Sequence, residues 1–330
     1  MHNIKPTNAQ KSWMNLGYGM FIHFGPNTIQ GKAWGDGKFE IENFNFKNLD
    51  IKQWAAVASE AGMKYAVLTT KHHDGFCLWP SKFTEYSVKN SPLGQDVVEL
   101  FVKEFNKVGI KTGLYYSLWD NNFSFYEEDD KYFEYMKNQL TELLTNYGDI
   151  LELWFDGGWD KDYPSRTWEG YRNISETERK NLGQRWRWKE LYEFIHILQP
   201  QCLVINNSSS DYPGVVKYHP VDVRTSEHFD FIYNEHICFP ELNPIIEEEN
   251  GGKVFIPLEF CTSLNPDWFW TGRSHMLHPS VDAICSWYKT ARNNEANLLL
   301  NVGPNAQGLI PDYHIHFLRE AAKILFNKTY

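Results

Sequence analysis

LELWFDGGW, residues 151–159, ends an apolar run on a single carboxylate. Leu151, Leu153, Trp154 and Phe155 read as a buried strand, Asp156 follows, and Gly157-Gly158 break the pattern. Burying an ionised carboxylate without a partner costs several kcal/mol. An aspartate in this place is paired, caps a turn, or does chemistry. Working outward, similar short apolar runs recur: GMFIHF (19–24), KYAVLTT (64–70), TGLYYS (112–117), CLVIN (202–206), VDVRT (221–225), VFIPLEF (254–260) and NLLLNV (297–302). Between several of them the apolar residues fall at helical spacing, over 49–62, 96–109, 130–147, 188–200, 280–293 and 312–326. Gly62 and Gly109 sit where helix C-caps belong.

Strand candidates alternating with helices predict the α/β class, as a (β/α)8-type, TIM-like barrel forming one catalytic domain over residues 1–330. A doubly wound open sheet would alternate too, but no GxGxxG follows the first strand. The stretches 157–187 and 207–250 are long and irregular. Both follow strands, which places them on the catalytic face of a barrel.

Composition narrows the partners. The 330 residues carry 32 basic and 42 acidic side chains, a net charge of −10, which disfavours nucleic acid and anionic membranes. No run approaches the roughly 20 apolar residues of a membrane span. The start, MHNIKPTNAQKSW, has no apolar signal region, so a cytoplasmic protein is expected, secreted or periplasmic only if a signal has been removed. Cys77, Cys202, Cys238, Cys261 and Cys285 are odd in number and form no CxxC pair, against a disulfide framework or structural zinc. Aromatics reach 16%, with 13 Trp and 18 Tyr. Their flat faces suit sugar rings and equally suit a large core.

In a barrel, reactive groups collect at the C-terminal ends of different strands. Here those ends carry His23, then Lys71-His72-His73-Asp74, then Tyr115-Tyr116-Ser117-Leu118-Trp119-Asp120, then Asp156, then Glu227-His228, with Glu259 inside the seventh run. Each has a plainer reading alone: His23 as a core imidazole, Tyr115-Tyr116 as one core and one rim residue, Asp156 as a turn cap. His72, His73 and Asp74 lack the spacing of HExxH, and adjacent histidines on a strand point to opposite faces, so no metal or other cofactor is expected.

GMFIHFGPNT (19–28), KHHDGFCLW (71–79), GLYYSLWD (113–120), ELWFDGGW (152–159) and NLLLNVGPNAQGLIP (297–311) together resemble the α-L-fucosidases of glycoside hydrolase family 29. The resemblance runs from about residue 13 to 326, with the motifs in family order. It implies a barrel that hydrolyses terminal α-L-fucose from glycans without metal and with retention, through two carboxyl groups about 5 to 5.5 Å apart. By resemblance Asp156 is the nucleophile and Glu227, in VDVRTSEHF, the acid/base. Glu259, in PLEFCTSL, is the rival and otherwise a sugar contact. Carried over as fucose contacts are His23, Trp34, His72, His73, Tyr116 and Trp154, with Trp268 and Trp270 shaping the mouth and Phe229 lending an apolar wall to the acid.

The chain also departs from the family. Ala33 stands where many relatives have glutamate, INNSSSD (205–211) lacks an arginine often found there, and with the sequence ending at Tyr330 just after the closing helix the expectation is a form without the usual C-terminal β-sandwich, either single-domain or truncated. Linkage preference stays open, a fucose analogue such as L-galactose remains conceivable, and a homo-oligomer is possible. The alternative reading is a fucose-binding barrel with impaired catalysis.

Overall fold

The computed structural model describes residues 4–158, 184–207, 214, 216, 218–227, 243–247 and 252–330. Its strands are β1 (Tyr18–Ile22), β2 (Tyr65–Lys71), β3 (Lys111–Ser117), β4 (Glu152–Asp156), β5 (Leu203–Asn206), β6 (Val223–Glu227), β7 (Ile245–Glu247), β8 (Lys253–Phe255), β9 (Leu258–Ser263) and β10 (Asn297–Asn301). Eight of them close a barrel in the order β1-β10-β9-β6-β5-β4-β3-β2, every neighbouring pair parallel. The predicted barrel is the observed one.

The helices are α1 (Asn8–Met14), α2 (Pro26–Gln30), α3 (Ile51–Glu60), α4 (Val97–Lys107), α5 (Asp129–Asn146), α6 (Trp188–Leu198), α7 (Val281–Asn293) and α8 (Asp312–Phe326). Their starts are fixed locally. Asp50, Asp96 and Ser280 accept the backbone N–H three residues on in α3, α4 and α7, satisfying a donor that has no partner within the helix. Gly62 and Gly109 follow α3 and α4 at φ 82° and 74°, a left-handed conformation that costs glycine little.

One expected strand is two. VFIPLEF divides into β8, which pairs antiparallel with β7 outside the barrel, and β9 within it. Pro257 sits between them; without an N–H it cannot continue a ladder on both sides.

Parallel strands buried on both faces make two apolar layers. Met20, Leu68, Leu114, Leu153, Phe155 and Val204 pack outward into the helix-covered shell. Phe21, Tyr65, Val67, Tyr115, Trp154, Ile205, Val223 and Leu299 fill the interior, and Trp13 of α1 joins them. Interior space is created by glycine: a Cβ at Gly19 would lie 2.5 Å from the Tyr65 ring, and one at Gly113 would lie 2.6 Å from Glu152 Cγ.

That space admits two carboxyls to the barrel interior. Glu152 Oε2 accepts the Trp13 indole N–H at 2.5 Å. Glu259 Oε1 accepts the Tyr65 hydroxyl at 2.6 Å and Oε2 accepts the Trp154 indole N–H at 2.9 Å. Burial lifts Glu259 to about 7, opposed by those two hydrogen bonds, and burial together with Glu259 lifts Glu152 well above the carboxylate range. The folded chain thus keeps protons that the unfolded chain releases from about pH 4.5 upward, so these groups favour folding at low pH and that contribution fades as pH rises, for Glu259 toward about 7. Buried His23 and His72, with lowered pKa values, act oppositely below pH 6.5, so the informative quantity is a difference between two proteins. In Glu259→Gln, Tyr65 can accept from the new amide while Trp154 still donates to its oxygen. The thermal midpoint of this variant relative to the parent should climb steadily between pH 4.5 and 7. A difference that does not vary with pH would show that Glu259 keeps no proton.

Candidate active site

Each side chain at the barrel mouth is placed by the end of its strand. Asp156 closes β4 facing inward, and Gly157 follows at φ 70°. A Cβ at Gly157 would lie 3.0 Å from both the His73 ring and Trp119 Cβ. The glycine after the aspartate therefore lets the backbone turn left-handed and lets His73 and Trp119 close against it. Asp156 is partly exposed. Its Oδ2 accepts the Tyr115 hydroxyl at 2.9 Å, and its Oδ1 accepts the Asn207 side-chain N–H at 3.2 Å. Burial, followed by Asp156 itself, holds the Tyr115 phenol well above its ordinary range, so it remains a donor.

Asn207, one residue past β5, also donates its amide to Glu227 Oε2, at the end of β6. Two carboxyl groups from different strands meet on one nitrogen. Since each contact is a single hydrogen bond, the two oxygens lie within about 6 Å of each other.

Three imidazoles line the opposite side. Asn301 Nδ2 donates to Ser263 Oγ at 2.8 Å and to the Trp268 carbonyl at 2.7 Å, which turns its oxygen toward His23 Nδ1, 2.9 Å away. The proton of His23 is thereby assigned to Nδ1. Burial depresses His23 to about 3, so the ring is neutral. His72 is lowered well below its ordinary value by burial and by its two histidine neighbours, and its Nδ1 has no hydrogen-bond partner among the described residues. In His73 the tautomer follows from Ser117. The serine hydroxyl donates to the Trp119 carbonyl at 2.7 Å, so it accepts the proton of His73 Nδ1 at 2.7 Å. His73 Nε2 stands 3.6 Å from Asp156 Oδ2, which makes an ion pair only when the ring is protonated.

The histidine pair departs from the alternation argument. Pairing of β2 with β3 shifts register between Thr69 and Lys71. Lys71 turns outward into a buried group where it donates to Tyr116 (2.9 Å) and Asp120 (3.0 Å). His72 and His73 come after the strand has ended, and their rings are 4.1 Å apart. Period-two alternation does not apply to a turn. Among the described residues, no three His, Cys, Asp or Glu side chains group as a metal site.

Two of the expected contacts are corrected. Tyr116 faces away from the mouth: it is fully buried, donates to Gln139 of α5 at 2.7 Å, and receives Lys71. Tyr115 takes the inward position because its register partner is Trp154, two residues before Asp156. Glu259 lies one layer below the mouth, paired with Thr225 where Cys261 pairs with Glu227, and both its oxygens are occupied. It anchors Trp154, whose ring stacks 5.6 Å from Tyr115.

The remaining rim is aromatic. Trp34 is exposed, with its ring 5.5 Å from His73 and 5.7 Å from Trp119. Trp268 stacks on His23 at 5.2 Å. Trp270 instead donates to Tyr313 of α8 at 3.0 Å. Phe229 and His228, with most of the stretches 157–187 and 207–250, lie outside the described residues, as does Cys238.

Sequence reasoning missed Asn207 and Asn301, and named Tyr115 and Ser117 at the end of their strand without giving either a role. The parity of β3 was the available signal, since Gly113, Tyr115 and Ser117 share one face and end in a small polar residue. Nothing in INNSSSD marks Asn207 apart from Asn206.

Residues 37–328 match the family described as "Alpha-L-fucosidase". Alpha-L-fucosidase 1 of Arabidopsis thaliana is 33% identical over 322 residues, covering 97% of this chain and 60% of that protein. A putative alpha-L-fucosidase 1 of Oryza sativa is also 33% identical, covering 97% of this chain and 58% of its own. Among solved structures, a glycoside hydrolase 29 family member from an unknown rumen bacterium superposes with a TM-score of 0.77 at 32% identity, covering 98% of this chain and 58% of that one. The chain spans about three fifths of the length of these relatives. With the family match running over most of its length, the chain belongs to the alpha-L-fucosidase family.

Proposed function

We propose that the protein is a retaining exo-α-L-fucosidase acting on terminal α-L-fucose of glycans, with Asp156 as nucleophile and Glu227 as acid/base. The observation that carries this reading is the shared hydrogen bond: Asp156 and Glu227 both sit on Asn207 Nδ2. A spacing of about 5 to 5.5 Å is the retaining geometry, whereas inversion needs about 6.5 to 9.5 Å for an interposed water.

In the first step an Asp156 oxygen attacks the anomeric carbon. The glycosidic C–O bond breaks, its electron pair goes to the departing oxygen, and that oxygen takes the proton of Glu227. In the second step water attacks the same carbon, Glu227 recovers a proton from it, and the bond to Asp156 breaks, releasing α-L-fucose. The Tyr115 hydroxyl steadies the charge on Asp156 before attack and after release. Neutral His23 and His72 are suited to hydrogen-bonding sugar hydroxyls, and the exposed Trp34 gives a flat apolar wall.

Azide separates the two carboxyl roles. With an activated aryl α-L-fucoside, Asp156→Gly should lose at least about a thousandfold in turnover and, with azide, yield β-L-fucosyl azide. Glu227→Ala should yield the α-azide. A Glu259→Ala variant that behaves like the acid/base would reverse the assignment, and ordinary fucose binding without turnover by the parent protein would indicate a binding barrel.

The tyrosine correction is testable separately. The Tyr115 hydroxyl also orients the Asp156 oxygen, and a misplaced nucleophile can cost about a hundredfold, so Tyr115→Phe should lower kcat/KM by roughly 10- to 100-fold. Tyr116→Phe should reduce thermal stability and leave kcat/KM within about threefold. Equal kinetic losses in both would contradict the inward placement of Tyr115.

A further inference from the structure

The retaining reading needs two carboxyls held close together in opposite protonation states, and the structure contains a group shaped to do that. The Asn207 backbone N–H donates to the Phe155 carbonyl at 2.8 Å, extending the β4–β5 ladder past the end of β5. Its side-chain oxygen accepts the Thr225 hydroxyl at 2.8 Å. Thr225 precedes Glu227 by two residues on β6, and so shares its inward face. An amide with its oxygen fixed in this way must present its NH2 on the other side, where Asp156 Oδ1 and Glu227 Oε2 receive it. Asn207 is buried, and its amide supplies hydrogens to two acids without adding a charge.

From this geometry we infer that Asn207 is a positioning residue that sets the separation of Asp156 and Glu227 and selects the oxygen on which Glu227 carries its proton. The inference rests on the retaining reading above. A carboxylic acid that accepts an N–H at Oε2 carries its own proton on Oε1, so the amide fixes which oxygen can hand a proton to the departing group. The donated hydrogen also favours the ionised form that must act as base in the second step. The titratable groups facing Glu227 among the described residues are Asp156 of β4, with His73 behind it, Tyr115 of β3 and Cys261 of β9. The last two are held neutral by burial, so among the described residues Asp156 is the carboxyl that Asn207 must reconcile with Glu227.

The experiment measures kcat/KM against pH for the parent protein, Asn207→Ala, Asn207→Asp and Thr225→Val on two substrates. One is a dinitrophenyl α-L-fucoside, whose leaving group departs without a proton. The other is an α-L-fucosyl disaccharide, whose leaving group needs one. General acid catalysis is worth about 10²- to 10⁴-fold, so Asn207→Ala should lose at least about tenfold more on the disaccharide than on the aryl fucoside. Its alkaline limb should move to higher pH, because the ionised acid has lost a donor. Asn207→Asp should move the limb further in that direction by adding a third carboxyl, and Thr225→Val should show the same pattern in smaller degree. A purely structural role predicts equal losses on both substrates and an unmoved limb, and that result would overturn the inference. Should Asn207→Ala fail to fold, the two near-isosteric variants carry the test. A parent protein that cleaves neither substrate would sink the retaining reading and the inference with it. A parent that turns over normally, beside variants with unshifted profiles, would sink the inference alone.

Discussion

Two like charges brought to one point are the constraint around which this molecule is built. Carboxylates about 5 Å apart repel by roughly 3 kcal/mol at an effective dielectric of about 20, so holding two such groups together calls for donors that offset the repulsion. Asp156 and Glu227 sit on strands separated by β5, and the residue just beyond β5, Asn207, spans the gap between them. The barrel supplies what the repulsion demands: a fixed neutral donor between the acids and the Tyr115 hydroxyl on the far oxygen of Asp156. Closed parallel strands deliver these groups to one rim because the last residues of each point the same way in register.

Beneath the rim two carboxyls enter the otherwise apolar barrel interior, and one of them helps to hold the site in place. Glu259 fixes the Trp154 indole, Trp154 stacks on Tyr115, and Tyr115 reaches Asp156. A buried carboxyl with two good donors costs far less than an unpaired one, and as a protonated acid it costs less again. Outside the barrel a second buried group steadies the loops. Lys71, fully buried, joins the start of the histidine turn to Asp120, whose other oxygen accepts the backbone N–H groups of Asn122 and Phe123. The histidines and Trp119 are therefore held from behind by one ion pair with complete hydrogen bonding.

The barrel and the place of Asp156 at a strand end were legible in the sequence because both follow from short-range pattern. Apolar runs of strand length mark strands, and a carboxylate followed by two glycines at a strand end has few structural uses. What failed were properties set by pairing. Which of Tyr115 and Tyr116 faces inward depends on the register of β3 against β4, and within β3 only the face shared by Gly113, Tyr115 and Ser117 hints at it. Glu259 was placed too near the mouth because depth in a barrel comes from strand stagger, and here it aligns with Thr225 instead of Glu227. The histidine pair was misjudged because the irregularity at Thr69–Lys71 and the end of β2 at Lys71 are not written in KHHD. VFIPLEF carried its own warning in Pro257. Asn207 gave none, since its value lies wholly in residues 51 positions before it and 20 after.

The stereochemistry of the first product tests the account most directly. Proton NMR of the anomeric signal, followed through the first minutes of hydrolysis of an aryl α-L-fucoside before mutarotation intervenes, reads it without any variant. Carboxyl oxygens drawn together on the Asn207 amide predict that α-L-fucose is released first. If β-L-fucose comes first, water has attacked directly between carboxyls at least about 6.5 Å apart, and the shared hydrogen bond cannot describe the working site.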